Sequence, residues 1–383
     1  MVQSFVAINP GGMILSSRSG IISSVIIVII VFSAVGGIVF LSNQYVPSNI
    51  AVVILDPGFG DRSMADQAYI GLEEVDVVVN YDFRVATDSA NALDIMESIA
   101  AAEQHDLIVA IGNGLTGSVT DAAGAYPNQK FAVIGGEPTL ALDNVASATF
   151  AQHEAAFLAG SIAAFLATGH VNRSGIVGIL GSVQGDPTVE GLIAGFIQGL
   201  EHANTTYNLN VRLLSTEYVD SYNDSTTADT MAYNMFSLPL GNATVIFAPV
   251  RASIIGVRTA MERANSTYFD DINGREPFVI AAEGNQDYLG NPNIEVATGP
   301  SWIVTSVVPR SDIAVNRLIN ATLWFEFPSG VTNPYNLANL GVDLSDLEQF
   351  RNTAWVTDYM LNVTTDYRTA ILNGSISVDS TLP

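Results

Sequence analysis

Short apolar runs alternate along most of the chain with segments whose apolar residues recur at helical spacing. Between two such runs, residues 90–103 place Leu93, Met96 and Ala100 on one helical face. Short apolar runs separated by amphipathic helices are typical of parallel βαβ units, so the pattern predicts an α/β fold. The runs that predict buried strands in this first half are 50–55, 75–79, 107–111 and 130–134.

The alternation restarts near Phe150 and predicts a second α/β half. The segment after Ala282 is expected to cross back to the first half. The predicted lobes are therefore 50–150 with about 280–325, and 151–279 with about 326–383. The predicted helices of the second half are 153–168, 188–203 and 252–264, and the predicted strands are 174–181, 211–219, 244–247, 277–282 and 303–307.

A stretch without charge covers residues 21–41 and is about long enough to cross a bilayer. A cleaved signal peptide is the alternative, but its apolar core is usually only about 7–15 residues long. Arg18 precedes the stretch and no Lys or Arg follows before Arg62, which favours a cytoplasmic N-terminus. We expect a cytoplasmic tail over 1–20, a transmembrane anchor over 21–41 and a linker over 42–49.

Glycosylation sequons lie only beyond this apolar stretch. Because Asn-X-Ser/Thr is an acceptor in exported proteins, the pattern indicates a glycosylated extracellular domain on a single-pass anchor in the cell membrane. The sequons begin at Asn172, Asn204, Asn223, Asn242, Asn265, Asn320, Asn362 and Asn373.

The amino-acid composition excludes several classes of binding partner and several kinds of site. The 383 residues carry a formal net charge of −24, which argues against nucleic acid or an anionic membrane surface, since both attract Lys/Arg patches. The chain has no cysteine, so it has no disulfide, no thiolate metal site, no cysteine nucleophile and no lipid-modified cysteine. Almost half of the residues are apolar, which is enough for a large core.

The first predicted strand, 50–55, leads into a turn rich in Gly and Pro and then into a helix capped by Ser63. Ligands of open α/β sheets bind beyond the carboxyl ends of the strands. A helix N-terminus there offers free N–H groups. The stretch therefore predicts one wall of a small-molecule site, with Asp56 as its first polar group.

An alternative site is the G-x-G-x-x-G match at 112–117, which follows a predicted strand and opens a helix. Glu137 lies twenty residues further on, as in a dinucleotide-binding fingerprint. An ordinary glycine turn at a strand–helix junction explains the match as well. The four histidines are scattered, and no nucleophile with a positioned base is recognisable, so the sequence favours a binding protein without a cofactor over an enzyme.

Several segments together resemble the basic membrane protein family of substrate-binding proteins. Residues 60–71 are similar to the family's D-x-S-F-N-x-x-x-x-x-G, and residues 150–160 to its F-x-x-x-E-x-x-F-L-A-G. Residues 181–196 resemble G-x-x-x-x-P followed by G-F. Residues 278–315 resemble V-I-G-V-D-x-D-Q with T-S and D-x-A-V, and residues 371–378 resemble the closing helix and strand.

The resemblance implies a type I periplasmic-binding-protein fold, with two Rossmann-like lobes of parallel sheets joined by a hinge. It also implies a purine nucleoside in the cleft and an ABC transporter permease as partner. Asp56 falls where the family contacts the base, and Glu283 falls on its ribose-binding aspartate. Phe247 is either an aromatic wall of the site or a core residue.

Departures from the family pattern coincide with the expected site. Met64 replaces the stacking phenylalanine, and Asn113 is the candidate to substitute for a second ribose aspartate. Arg251 lies in a turn that is glycine-rich in the family, and Arg310 lies beside its lysine position. Both arginines suit an anionic or carbonyl-bearing ligand. A ligand-sensing receptor ectodomain and, less favoured, a nucleoside-processing or NAD-binding enzyme remain the alternative functions.

Overall fold

The computed structural model describes residues 47–382, apart from 61, 76, 270–273, 298 and 347–354. The expected cytoplasmic tail, the expected membrane anchor and residues 42–46 of the expected linker lie outside these residues. Within the part that is described, no helix combines the length and the apolar character that crossing a bilayer requires.

The described residues form alternating strands and helices, as the sequence predicts. The strands are β1 (Ser48–Leu55), β2 (Val79–Ala86), β3 (Leu107–Ile111), β4 (Phe131–Ile134), β5 (Val145–Phe150), β6 (Ile176–Gly181), β7 (Arg212–Leu213), β8 (Glu217–Tyr218), β9 (Val245–Ala248), β10 (Phe278–Ala282), β11 (Ile303–Pro309), β12 (Thr332–Tyr335) and β13 (Val342–Leu344). The helices are α1 (Met64–Glu73), α2 (Ser89–Ala102), α3 (Thr116–Ala125), α4 (Gln152–Thr168), α5 (Pro187–Tyr207), α6 (Ser225–Phe236), α7 (Ile254–Ala264), α8 (Ser311–Leu323) and α9 (Asp358–Leu372).

The strands build two sheets, and each sheet defines a lobe. Lobe 1 contains the sheet ordered β12-β5-β4-β3-β1-β2, and lobe 2 contains the sheet ordered β13-β11-β10-β9-β6-β7. Short β8 pairs with the end of β6. Among the described pairs, β11–β13 is antiparallel and the others are parallel. The expected α/β architecture with parallel sheets is therefore confirmed.

Helices cover both faces of each sheet, which parallel sheets require because both of their faces are apolar. In lobe 1, α1 and α8 pack on one face, and α2 and α3 pack on the other. In lobe 2, α4, α5 and α9 share one core, whereas α6 and α7 form the other. The helices leave the carboxyl ends of the central strands uncovered, and the loops there carry polar side chains.

Close packing of α4 on α5 depends on glycine. A Cβ atom on Gly195 would lie 2.1 Å from the carbonyl oxygen of His153, and one on Gly199 would lie 1.9 Å from that of Phe157. Neither position has room for a side chain, so the two helices approach backbone to backbone. This contact holds α5 directly against α4, and the N-terminus of α5 carries part of the site described below.

The chain passes between the lobes at points that differ from the expected division. Strands β10 and β11 pair in the lobe 2 sheet, although the sequence placed residues from about 280 in lobe 1. The crossing occurs instead after Pro309, where α8 packs on α1. Strand β12 then adds to the lobe 1 sheet beside β5, and β13 returns to lobe 2. An apolar run reveals a strand but not the sheet in which it pairs.

Two strand predictions were wrong in detail. The run 75–79 was expected to be the second strand, whereas β2 begins at Val79 and continues through alternating polar residues. This strand lies at the edge of its sheet and is largely exposed, so it lacks the apolar signature of a buried strand. The expected strand over 211–219 consists of two separate two-residue strands, β7 and β8.

Candidate functional site

Polar side chains from the two lobes meet where Asn113 reaches lobe 2. Asn113 follows β3, and its Nδ2 atom lies 3.3 Å from both carboxylate oxygens of Asp186 and 3.1 Å from Thr188 Oγ1. Asp186 and Thr188 lie at the start of α5 in lobe 2. The contact therefore joins the loops that follow the carboxyl ends of β3 and β6.

Asp186 is held firmly at this junction. It caps α5, with Oδ1 accepting from the backbone N–H groups of Thr188 at 2.8 Å and Val189 at 3.2 Å. Its Oδ2 accepts a hydrogen bond of 2.5 Å from the hydroxyl of Tyr222. Burial raises the pKa of Asp186, but the Tyr222 hydroxyl, the charge of Arg251 and the helix N–H groups lower it more, so the carboxyl stays ionised.

Arg251 and Glu283 extend this cluster in lobe 2. The Nε atom of Arg251 donates to Glu283 Oε2 at 2.6 Å, and its guanidinium lies 4.0 Å from the centre of the Tyr222 ring. Burial lowers the pKa of Arg251, but the charges of Glu283 and Asp186 raise it overall. Burial and the hydrogen bond to Asp186 raise the pKa of Tyr222 far above its usual range, so it remains a donor. We call Asn113, Asp186, Tyr222, Arg251 and Glu283 the interlobe cluster.

Two members of the interlobe cluster have an unusual backbone. Arg251 has φ 49° and Glu283 has φ 67°, which is a left-handed backbone conformation that residues other than glycine rarely adopt. Arg251 follows β9 and Glu283 follows β10, which are adjacent strands. Strained residues concentrate at functional sites, where the surrounding structure holds them in place. Here the two left-handed residues carry oppositely charged side chains that are bonded to each other.

A second set of contacts joins the lobes beside α1. Gln286 Nε2 donates to the carbonyl oxygen of Arg62 at 2.8 Å, and Arg62 Nε donates to the Tyr288 hydroxyl at 3.1 Å. A Cβ on Gly284 would lie 2.7 Å from the same carbonyl, so the two backbones nearly touch. A groove of about 430 Å³ lies between Arg62 and Tyr288, and no residue of the interlobe cluster lines it.

Four predicted site residues do not lie in the interlobe cluster, and Phe247 and Arg310 are two of them. Phe247 is fully buried, and its ring stacks on Phe196 at 4.2 Å with an interplanar angle of 2°, so its interpretation as an aromatic wall is wrong. It belongs to the core between the lobe 2 sheet and α5. Arg310 pairs with Asp312 at 2.8 Å at the start of α8, outside the interlobe cluster, and its place beside the ligand stays a prediction.

Asp56 and Met64 lie on the loop and helix that follow β1. Asp56 is exposed and its backbone N–H donates to the carbonyl of Ala86 at 2.8 Å. Met64 is only 8% exposed and packs in the lobe 1 core, with its sulfur close to Gly135 at the end of β4. The structure therefore gives Asp56 an accessible carboxylate, whereas Met64 presents little surface to a ligand.

Sequence reasoning missed Asp186 and Tyr222. Asp186 carries a local signal, because an aspartate before a proline after a strand is a typical helix start, and such starts face the ligand in α/β folds. Tyr222 carries none, since it lies in a polar stretch without periodicity between β8 and α6. Only the fold places it between Asp186 and Arg251.

A family model described as "ABC transporter substrate-binding protein PnrA-like" matches residues 48–381. The chain belongs to this family. The resemblance to basic membrane proteins is thus confirmed over essentially all of the described residues. Membership assigns the chain to the ABC transporter substrate-binding proteins.

Curated relatives cover most of the chain at modest identity. The "ABC transporter nucleoside-binding protein BmpA" of Lactococcus lactis is 26% identical over 86% of this chain and 89% of its own length. The "Basic membrane protein A" of Borreliella burgdorferi is 27% identical over 64% of this chain and 66% of its own. An uncharacterised lipoprotein of Pyrococcus abyssi is 23% identical over 90% of this chain and 81% of its own.

Solved structures agree on the architecture. An ABC transporter solute-binding protein from Aeropyrum pernix superposes with a TM-score of 0.75 at 22% identity, covering 88% of this chain and 94% of that one. A periplasmic solute-binding protein from Actinobacillus succinogenes, solved with bound D-allose, gives a TM-score of 0.57 at 15% identity, covering 80% and 99%. These likenesses confirm the periplasmic-binding-protein fold.

Proposed function

We propose that this protein is an extracytoplasmic solute-binding protein that captures a nucleoside-like molecule between its lobes and delivers it to an ABC transporter permease. The interlobe cluster is the observation that supports this most directly. It gathers carboxylate, amide, hydroxyl and guanidinium groups at facing strand ends, where α/β proteins bind ligands. A relative whose name is nucleoside-binding protein shares nearly the full length of the chain.

The chemistry of the cluster suits a ribonucleoside. Glu283 is 1% exposed and lies at the end of β10, where a carboxylate accepts hydrogen bonds from a sugar diol more strongly than a neutral acceptor does. Asn113 adds an amide from the opposite lobe. Asp56, the accessible carboxylate after β1, is the group that we assign to the base.

The membrane anchor and the extracellular location belong to the same proposal. Residues 21–41 would hold the binding domain at the outer face of the membrane, close to the permease. Lipoprotein relatives, such as that of Pyrococcus abyssi, are consistent with attachment at a membrane. Since this chain has no cysteine, it would use an apolar helix where they use a lipid.

Thermal unfolding of the purified full chain with nucleosides, free bases, sugars and amino acids tests the proposal. A ligand that binds only the folded protein adds about 2.7 kcal/mol of stability at a hundredfold excess over its Kd, which raises the melting temperature. We expect a shift with at least one purine nucleoside and none with amino acids. A shift confined to another class of compound would contradict the nucleoside assignment, and no shift at all would contradict binding.

A further inference from the structure

We propose that Arg251 selects the ligand of the cleft by favouring nucleosides whose base presents two adjacent acceptor atoms. Inosine and guanosine have such a base, whereas adenosine does not. The inference rests on the proposed function, because it specifies which nucleosides the same cleft prefers. It follows from how Arg251 is held and from which of its hydrogen-bond donors remain available.

Two contacts fix the plane of the Arg251 guanidinium. Its Nε bonds Glu283 Oε2 at 2.6 Å, and its central carbon lies 4.0 Å from the centre of the Tyr222 ring. Tyr222 is itself fixed by its bond of 2.5 Å to Asp186. The left-handed backbone of Arg251 adds a third restraint. A guanidinium held in this way is preorganised, so little conformational entropy is lost when it binds a ligand.

The outer edge of the Arg251 guanidinium has no hydrogen-bond partner in the part of the chain that the structure describes. Among the described residues, Nε is the atom of Arg251 that makes a hydrogen bond, and its two terminal nitrogens have no partner there. The side chain is 19% exposed, and neither terminal nitrogen is among the buried polar atoms that lack a partner. They are donors only, and their fork geometry matches two acceptor atoms side by side.

The other polar groups nearby cannot replace this donor edge. Both oxygens of Asp186 already accept hydrogen bonds, from helix N–H groups and from Tyr222. Asp186 and Glu283 surround the single positive charge of Arg251, so the three groups together carry a net negative charge. A phosphate would be repelled here, so an uncharged ligand with acceptor atoms fits best.

Purine bases differ in what they offer to such an edge. A 6-oxopurine presents O6 and N7 as adjacent acceptors, which arginine binds with two hydrogen bonds. Adenine presents N7 beside an amino group, which is a donor and would face the donors of Arg251. Loss of one hydrogen bond together with an unpaired donor makes adenosine the weaker ligand.

Isothermal titration of the full chain with inosine, adenosine and inosine 5′-monophosphate tests the inference. We expect inosine to bind at least about tenfold more tightly than adenosine, and the monophosphate to bind more weakly than inosine. The double variant R251M/E283Q removes the guanidinium together with the Glu283 charge that would otherwise lack its ion pair. Because it also removes the carboxylate assigned to the ribose, it should bind both nucleosides more weakly than the wild type does, but with about equal affinity. Arg310→Met is the matched control, because that arginine pairs with Asp312 outside the interlobe cluster, and should keep the preference.

The outcomes separate the inference from the proposed function. If the wild type binds nucleosides without preferring inosine, or if the double variant keeps the preference, the role of Arg251 is overturned and the nucleoside function stands. If the wild type binds no nucleoside, both are overturned. If the double variant binds neither nucleoside, the Arg251→Lys variant tests the inference instead. Lysine keeps the positive charge but lacks the planar pair of donor groups of arginine. A tenfold preference for inosine that is retained in this variant would overturn the inference.

Discussion

The side-chain amide of Asn113 in lobe 1 lies 3.3 Å from each carboxylate oxygen of Asp186 in lobe 2. Thr188 adds a third acceptor at 3.1 Å, so one amide group holds the start of α5 against the end of β3. The two lobes are therefore linked directly, at the same place where a ligand would be enclosed. If the ligand binds at this junction, as we propose, lobe closure and ligand binding share Asn113.

Asn113→Ala should weaken binding of the best nucleoside about five- to tenfold, because the closed form loses a hydrogen bond to a charged group, of about 1–2 kcal/mol. Titration calorimetry measures the affinity, and small-angle scattering measures whether the ligand-free protein becomes more open. Asn80→Ala is the control, since Asn80 bonds Asn49 within lobe 1 and is exposed. Equal affinities for both variants would contradict a role for Asn113 in closure.

The sequence predicted the layered α/β fold because its strands and helices carry strong periodic signals. It predicted Glu283 by resemblance, and Arg251 and Asn113 as departures from the family pattern, and the structure brings these three together. It did not predict the partners of Arg251, since Tyr222 and Asp186 are distant in sequence and meet only through the fold. It left Phe247 open between a ligand contact and a core residue, because a phenylalanine at a strand end has the same local sequence whether it packs inward or lines a cleft.

Phe247→Ala should destabilise lobe 2 by about 3–5 kcal/mol, as expected for a large ring removed from a closed core. The ring is fully buried and stacks on Phe196, so the cavity left behind cannot be filled by water without cost. Urea unfolding monitored by circular dichroism gives the free energy of unfolding. Phe325→Ala is the control, because Phe325 is 94% exposed and should change stability by less than about 0.5 kcal/mol. Similar losses for both variants would place Phe247 outside the core.

Gly195→Ala should destabilise the protein by about 1–3 kcal/mol, because the new methyl group would meet the His153 carbonyl at 2.1 Å and push α5 away from α4. Gly117→Ala is its counterpart in α3, where nothing lies within 4 Å of the added Cβ. That substitution should be neutral or stabilising by up to about 1 kcal/mol, since alanine favours helix. Melting temperatures compare the two, and a larger loss at Gly117 would contradict the packing of α4 on α5.

Asp287 should make the stability of the protein depend on pH in the mildly acidic range. Its side chain is 1% exposed and accepts a hydrogen bond of 2.5 Å from Ser306 Oγ. Burial raises its pKa to about 6, since the hydrogen bonds from Ser306 and Ser345 offset desolvation only in part and the nearby charge of Asp346 raises it further. Below about pH 4 the carboxyl is protonated in both the folded and the unfolded protein. As the pH rises from there to about 6, only the unfolded state ionises, so stability falls.

The Asp287→Asn variant removes this ionisation while keeping a side chain of similar size that can still accept from Ser306. The free energy of unfolding of the wild type, measured in urea at several values between about pH 4 and 7, should fall relative to the variant by up to roughly 3 kcal/mol, which corresponds to a pKa difference of about two units. Taking the difference between the two proteins cancels carboxyls with lowered pKa, such as Asp186, which act in the opposite direction. A difference that stays constant over this range would show that Asp287 ionises as readily in the folded protein as in the unfolded chain.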